Sequence, residues 1–205
     1  MSSPQKQTSA QTFRANLRLQ TLEIGHRLVR EEGLQSVQAR RIAKEARCAV
    51  GSIYNVFEDL DGLIIALNMQ TLSDLGRSLA TAFEKTRDEP TYDRLLALAE
   101  AYFEFAQENQ NAWRAIFEHH LPAEKSAPAD YRQDQDNLFA LVEDCLRTVI
   151  EDDETRRSGA RALFASVHGI VSLSLDRKLG DFDPESTSRQ ILFLVNNAAK
   201  GLQSN

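Results

Sequence analysis

Residues 38–57 read QARRIAKEARCAVGSIYNVF, and the spacing of apolar positions in this stretch decides the fold. Ile42, Ala43 and Ala46 fall on one face of a short helix, and Ile53 and Phe57 repeat at i, i+4 in a second. That pattern turns inward one face of each helix and leaves Val50, Gly51, Ser52, Tyr54 and Asn55 largely outward. The outward residues are small or polar, so a partner can come close to the backbone. Four cations, Arg40, Arg41, Lys44 and Arg47, lie on the first helix and in the turn. A helix pair of this kind fits DNA: the second helix enters the major groove and the cations meet the passing phosphates.

Upstream, Leu17, Ile24 and Leu28 repeat at near-heptad spacing within residues 12–32, with Leu22, Gly25 and Val29 widening the stripe. Gly33 then stands where a left-handed C-cap belongs, and Ser36 offers an N-cap to a helix over 37–46. A third helix is predicted over 50–57. Three helices can thus enclose a small core, giving an N-terminal helix-turn-helix domain over 12–59. Residues 1–11 are polar and read as a flexible tail.

Downstream, residues 60–85 run without a breaker, with Leu63, Ile64, Leu67, Leu72, Leu75 and Leu79 apolar. No linker precedes this helix, so one rod spans the reader and whatever follows, and can transmit a shift between them. Further helices are predicted over 92–108, 110–120, 131–151, 155–178 and 184–202. Residues 60–205 are therefore expected to form a larger helical domain. The whole reads as all-α.

Composition agrees with a soluble folded chain: 205 residues, 42% hydrophobic and 26% charged, with five prolines and nine glycines. No apolar run approaches the ~18 residues a membrane span needs, and the N-terminus lacks an apolar signal core. A cytoplasmic location is expected. The net charge of −6 argues at first against nucleic acid. Its distribution reverses that: residues 1–65 hold nine basic and seven acidic side chains, so the excess of acid lies in the remainder. Cys48 and Cys145 are too far apart in sequence for metal-ligand spacing. Cys48 beside Arg47 reads either as a small buried hydrophobe or as a redox-sensitive thiol. His119 and His120 point about 100° apart on a helix, which does not suit one metal. No metal and no cofactor are expected.

Residues 14–67 resemble the DNA-binding region of the tetracycline-repressor family of bacterial regulators. The resemblance rests on Glu32-Gly33, Arg41-Ile42-Ala43, Ala46, Val50-Gly51-Ser52-Ile53-Tyr54, Phe57 and Leu63. It implies about nine helices, a homodimer, and a C-terminal domain whose small-molecule effector weakens DNA binding; the last two helices, over 155–178 and 184–202, are apolar enough to pack against a second copy of themselves. It further implies that Tyr54 donates its hydroxyl to a phosphate and that Gln38 contacts the backbone. Arg40 is implied at a base edge, where a bidentate guanine contact is worth about 1–3 kcal/mol. Ser52 and Asn55 add polar contacts, Gly51 admits the backbone, and Arg41 and Val50 complete the set. Without the resemblance, Tyr54 reads as a half-buried ring and Arg40–Arg41 as a solvated pair.

The chain departs from the family's pattern twice. Leu60, among Glu58, Asp59 and Asp61, stands where the family has a lysine opening the fourth helix. Arg47 replaces the turn glycine, at a cost of about 1 kcal/mol if the backbone there is left-handed.

Trp113 with Ile116-Phe117, and His168-Gly169, are similar to a subtype of the family's C-terminal domain marked by Trp, His and Gly. Gly169 within a helix suggests a tight helix crossing. An effector site is implied near Tyr102, Phe105, Trp113, Phe117 and His168, although such aromatic stripes also make plain core. His168 reads either as a cavity-lining sensor or as a hydrogen-bonded interior histidine. The expected protein is a DNA-binding transcriptional regulator, a repressor released from a palindromic operator by its effector. Two other classes remain: a helical small-molecule binder or adaptor with weak DNA binding, and an enzyme. No nucleophile elbow, phosphate loop or catalytic constellation supports the last.

Overall fold

The computed structural model describes residues 4–178 and 180–203, with the side chains of 11–178 and 180–201. Among these residues there are helices and turns and no strand. The elements are α1 (Pro4–Glu32), a 3-10 turn (Leu34–Ser36), α2 (Ala39–Glu45), α3 (Val50–Phe57), α4 (Leu60–Lys85), α5 (Thr91–Glu108), α6 (Gln110–Glu118), α7 (Ala129–Leu146), α8 (Asp153–Leu175) and α9 (Pro184–Gln203). The all-α expectation is met, and α3 and α4 occupy the predicted spans.

The chain folds into two compact units that do not divide at residue 59. Among the described residues, 4–71 and 111–131 form one, and 72–110 with 132–178 and 180–203 form the other. The chain passes from unit to unit inside α4, near the start of α6 and near the start of α7.

In the first unit the core is built from the residues that the spacing turned inward. Leu28, Ile42, Ile53 and Leu63 are fully buried, joined by Leu17, Val29, Val37, Phe57, Ile64 and Leu67. Ala112 and Ala115 of α6 belong to the same cluster. Burying a side chain such as Leu or Ile contributes roughly 1.5–3 kcal/mol, so this core suffices to hold α2 and α3 against α1. The guanidinium of Arg18 lies 4.8 Å over the ring of Phe57, tying α1 to the end of α3.

Several boundaries differ from expectation for identifiable reasons. α1 begins at Pro4, not residue 12. Extending an existing helix costs little per residue, and proline suits a first turn, so a polar stretch without periodicity can still be helical. α2 begins at Ala39 because Ser36 is no cap: its hydroxyl donates to the Gly33 carbonyl at 2.6 Å and closes the 3-10 turn. Gly33, at φ 86, supplies the left-handed residue expected after α1. α7 stops at Leu146, not 151. Asp152 caps α8 by accepting from the Thr155 amide at 2.7 Å, and Arg156 donates to the carbonyls of Ile150 and Glu151. Those bonds commit residues 150–152 to the next helix.

In the second unit α9 packs against α5 and α8, and α5 against α8. Leu95, Leu98, Tyr102 and Phe105 of α5, Val167, Val171 and Leu175 of α8, and Ile191 and Val195 of α9 are buried there. Arg94 is buried too, paired with Asp144 at 2.8 Å and lying over the Phe83 ring. Leu173, Leu192 and Phe193 stay exposed, Phe193 by 73%. The tight crossing expected at Gly169 is not found: a Cβ built there meets nothing within 4 Å. The side chain of Leu202, expected on the apolar face of the last helix, lies outside the described residues.

Candidate nucleic-acid interface

α2 and α3 meet through a turn at Ala46–Ala49. Arg47 there has φ 53, the left-handed backbone that glycine adopts freely and arginine adopts at about 1 kcal/mol. The chain accepts that cost and gains an exposed cation in the turn. Arg40 and Lys44, four residues apart on α2, are exposed on one face, and Arg47 continues the strip.

Beyond the turn, Ile53 and Phe57 hold α3 down, so its other side is presented. Gly51, Tyr54 and Asn55 are exposed and Ser52 and Val50 half-exposed. Tyr54 is 40% exposed. A Cβ at Gly51 would meet nothing within 4 Å, so the helix backbone is bare there. Gln38 sits exposed and extended before α2 and makes no cap with its own side chain. α3 also lacks a side-chain cap: Ala49 holds the cap position, at φ −74 and ψ 146. Replacing Ala49 by serine should supply the missing acceptor for an α3 amide and raise unfolding stability by about 0.5–1 kcal/mol; urea denaturation measures it.

Arg41 is placed differently from its neighbours. Its guanidinium makes a two-pronged pair with Glu32 at 2.7 and 2.6 Å and reaches Glu45 at 3.6 Å. The Arg41 guanidinium in turn holds the Glu32 carboxyl below its ordinary range. Arg27 pairs with both Glu31 and Glu45. Burial pushes the Cys48 thiol up, which keeps it protonated and fits the small-hydrophobe reading.

The junction between α3 and α4 is unusually tight. Glu58, at φ 67 and ψ −56, is the centre of a γ-turn in which the Asp59 amide donates to the Phe57 carbonyl at 2.8 Å. Asp59 then accepts from the Gly62 amide at 2.9 Å and starts α4. Lys125, far along the chain, donates to Asp59 and Asp61 at 2.5 and 2.6 Å. His119 Nε2 lies 3.6 Å from Asp61. Sequence spacing could not have found Lys125 or Arg18, because each meets its partner across dozens of residues.

Of the five aromatic residues expected around an effector, Tyr102, Phe105 and His168 lie in the second unit, and Trp113 and Phe117 in the first. Tyr102 Oη and His168 Nδ1 are hydrogen-bonded at 2.8 Å, and Phe164 stacks on the imidazole and meets Tyr102 edge-on. Burial lowers the His168 pKa from its ordinary value, favouring the neutral ring. Trp113 is buried, with Phe117 edge-on to it. A separate hollow of about 300 Å³ lies between α4 and α7, its lining including Leu72, Gly76, Arg77, Asp134, Leu138 and Leu141. Among the described residues no cluster of three or more His, Cys, Asp or Glu is placed to hold a metal, and no helix is long and apolar enough to cross a membrane.

Residues 95–194 match the family model described as "Tetracyclin repressor-like, C-terminal domain". Comparison with curated proteins finds no match. Solved structures resemble the chain over nearly its whole length. A protein of unknown function from Rhodococcus sp. RHA1 aligns with TM-score 0.73 at 21% identity, covering 90% of this chain and 94% of that one. A TetR-family transcriptional regulator from Streptomyces coelicolor aligns with TM-score 0.65 at 20% identity, covering 93% and 81%. The TetR-family regulator PfmR of Thermus thermophilus aligns with TM-score 0.61 at 17% identity, covering 85% and 96%. At such identities the likeness establishes the fold.

Proposed function

This chain belongs to the tetracycline-repressor family through the domain at 95–194, and from that premise we propose that it is a DNA-binding transcriptional regulator, a repressor released from its operator by a small molecule. The observation that carries the reading is the pairing of a bare, outward α3 face with the exposed strip Arg40, Lys44 and Arg47. A short helix with small outward residues can approach base edges, while cations beside it neutralise phosphates. Arg40 is the base-reading candidate and Tyr54 the phosphate donor; Gln38, Ser52 and Asn55 add polar contacts beside Val50 and Gly51. Arg41 joins them only by exchanging Glu32 for a phosphate, so it is the weakest member of the set.

The exposed apolar residues of α8 and α9 support dimerisation through these helices. Leu173, Leu192 and Phe193 would be covered by the same helices of a second copy in a two-fold four-helix bundle. Gly169, open in the single chain, then lies where a partner helix could approach closely. Two recognition helices about 34–36 Å apart read a short palindrome. The effector is assigned to the second unit, at the Tyr102–His168 pair with Phe105 or in the α4–α7 hollow, whose size suits a small organic molecule. Release requires the effector to bind two poses of the protein with different affinity, and α4, shared by both units, is the rod on which that difference acts.

Fluorescence anisotropy on a duplex selected by the wild-type protein tests the reading. Arg40→Ala should weaken binding about tenfold or more, and Tyr54→Phe about three- to tenfold, with the dimer intact by sedimentation. Full affinity in both variants would overturn the assigned contacts. One observation favours the other reading, a helical binder or adaptor with weak DNA affinity: Glu58, Asp59 and Asp61 lie at the end of α3. A flat dependence of DNA association on salt would support it, because a regulator that releases counterions shows a clear negative slope.

A further inference from the structure

The acids at the start of α4 are an electrostatic liability for any surface that meets a polyanion. α3 is eight residues long, about 12 Å, so Asp59 and Asp61 stand within one or two screening lengths of whatever the helix touches. Glu58 is exposed beside them. No cation stands among them in the sequence, since the intervening residue is Leu60.

The fold answers this from the loop after α6. Lys125 bridges Asp59 and Asp61 at 2.5 and 2.6 Å, and its side chain is 39% exposed, so the ammonium is both paired and near the surface. His119 Nε2 also faces Asp61, at 3.6 Å. Burial lowers the His119 pKa, which favours the neutral imidazole. All these residues belong to the first unit. A clasp this exposed adds little to stability, because surface ion pairs exchange good hydration for modest attraction. Its effect is felt outside the protein, as a change in local charge.

Resting on the DNA-binding reading above, we infer that Lys125 is an electrostatic trimming residue of the recognition surface: it offsets the carboxylates of Asp59 and Asp61 and so sets how strongly the α3–α4 edge repels the phosphate backbone. Counting the three side chains alone, the edge carries −1 in the native protein. It carries −2 in Lys125→Met, 0 in the triple variant Lys125→Met with Asp59→Asn and Asp61→Asn, and +1 in the double Asp→Asn variant. Asparagine at 59 keeps an acceptor for the Gly62 amide, so α4 retains its start.

The test measures anisotropy of the full-length proteins on one duplex of about 30 bp, selected from random-sequence DNA by the wild-type protein, at low and at high salt. At low salt affinity should follow the charge ladder. The double Asp→Asn variant binds most tightly, then the triple, then wild type, then Lys125→Met, with about three- to tenfold between the ends and wild type. The spread should shrink as salt rises, and urea midpoints should stay together. A double Asp→Asn variant that binds more weakly than wild type means that the clasp holds shape rather than charge, and overturns the inference. So does a Lys125→Met variant, folded or misfolded, whose loss the triple variant fails to restore. A wild-type protein that enriches no duplex at all overturns the regulator reading itself, and this inference with it.

Discussion

Replacing Gly62 by alanine is expected to destabilise the first unit by about 2–4 kcal/mol, in the direction opposite to helix propensity. Gly62 is the third residue of α4. In an exposed helix alanine is favoured over glycine by about 1 kcal/mol, so a neutral site would gain stability. Here a Cβ would lie 2.1 Å from the Phe57 carbonyl oxygen and 3.2 Å from its carbon. Both are backbone atoms and cannot swing aside. The Phe57 carbonyl is already fixed by the Asp59 amide in the γ-turn around Glu58. Relief must come either from opening that turn or from moving α4, which would draw the buried Leu63 and Ile64 out of the core. Urea unfolding followed by circular dichroism measures the loss. A midpoint equal to or above wild type would show that the joint yields without resistance.

The same joint shows what sequence patterns can and cannot carry. Ile53, Phe57, Leu63 and Leu67 recur at helical spacing, and that periodicity alone places α3 and α4 and selects their buried faces. Glu32-Gly33 marks the end of α1 because left-handed backbone there leaves few choices of residue. Features made by neighbours across the chain leave no such trace. The Lys125 clasp joins residues 64 and 66 positions apart. Arg41 reads as an open cation until Glu32 and Glu45 close around it. Ser36 has the composition of a cap, and only the position of the Gly33 carbonyl reveals that its hydroxyl is spent elsewhere. The aromatic residues that the resemblance implies at an effector site fall in two units, because most of α6 belongs to a different unit from α5.

Replacing Gly51 by leucine is expected to separate folding from DNA recognition, lowering affinity for a selected duplex about a hundredfold while leaving the fold intact. Gly51 lies exposed in the first turn of α3, and a Cβ there meets nothing within 4 Å, so a side chain leaves the helix into open space. Relative to glycine, leucine also favours the helix by up to about 0.8 kcal/mol. The damage should arise only when α3 lies in the groove, because an isobutyl group then stands between the helix backbone and the base edges. That group must either displace the helix, stretching every contact made by Arg40 and Tyr54, or bury apolar surface against polar edges whose hydrogen bonds it cannot meet. Gly51→Ala, with a smaller obstruction, should fall between the two proteins in affinity. Anisotropy and urea denaturation on the same preparations decide the matter. Retained affinity would mean that this face of α3 does not approach the bases, whereas equal losses of affinity and stability would mean that Gly51 serves the fold. Only a loss confined to binding fits a recognition helix whose bare first turn exists for contact with DNA.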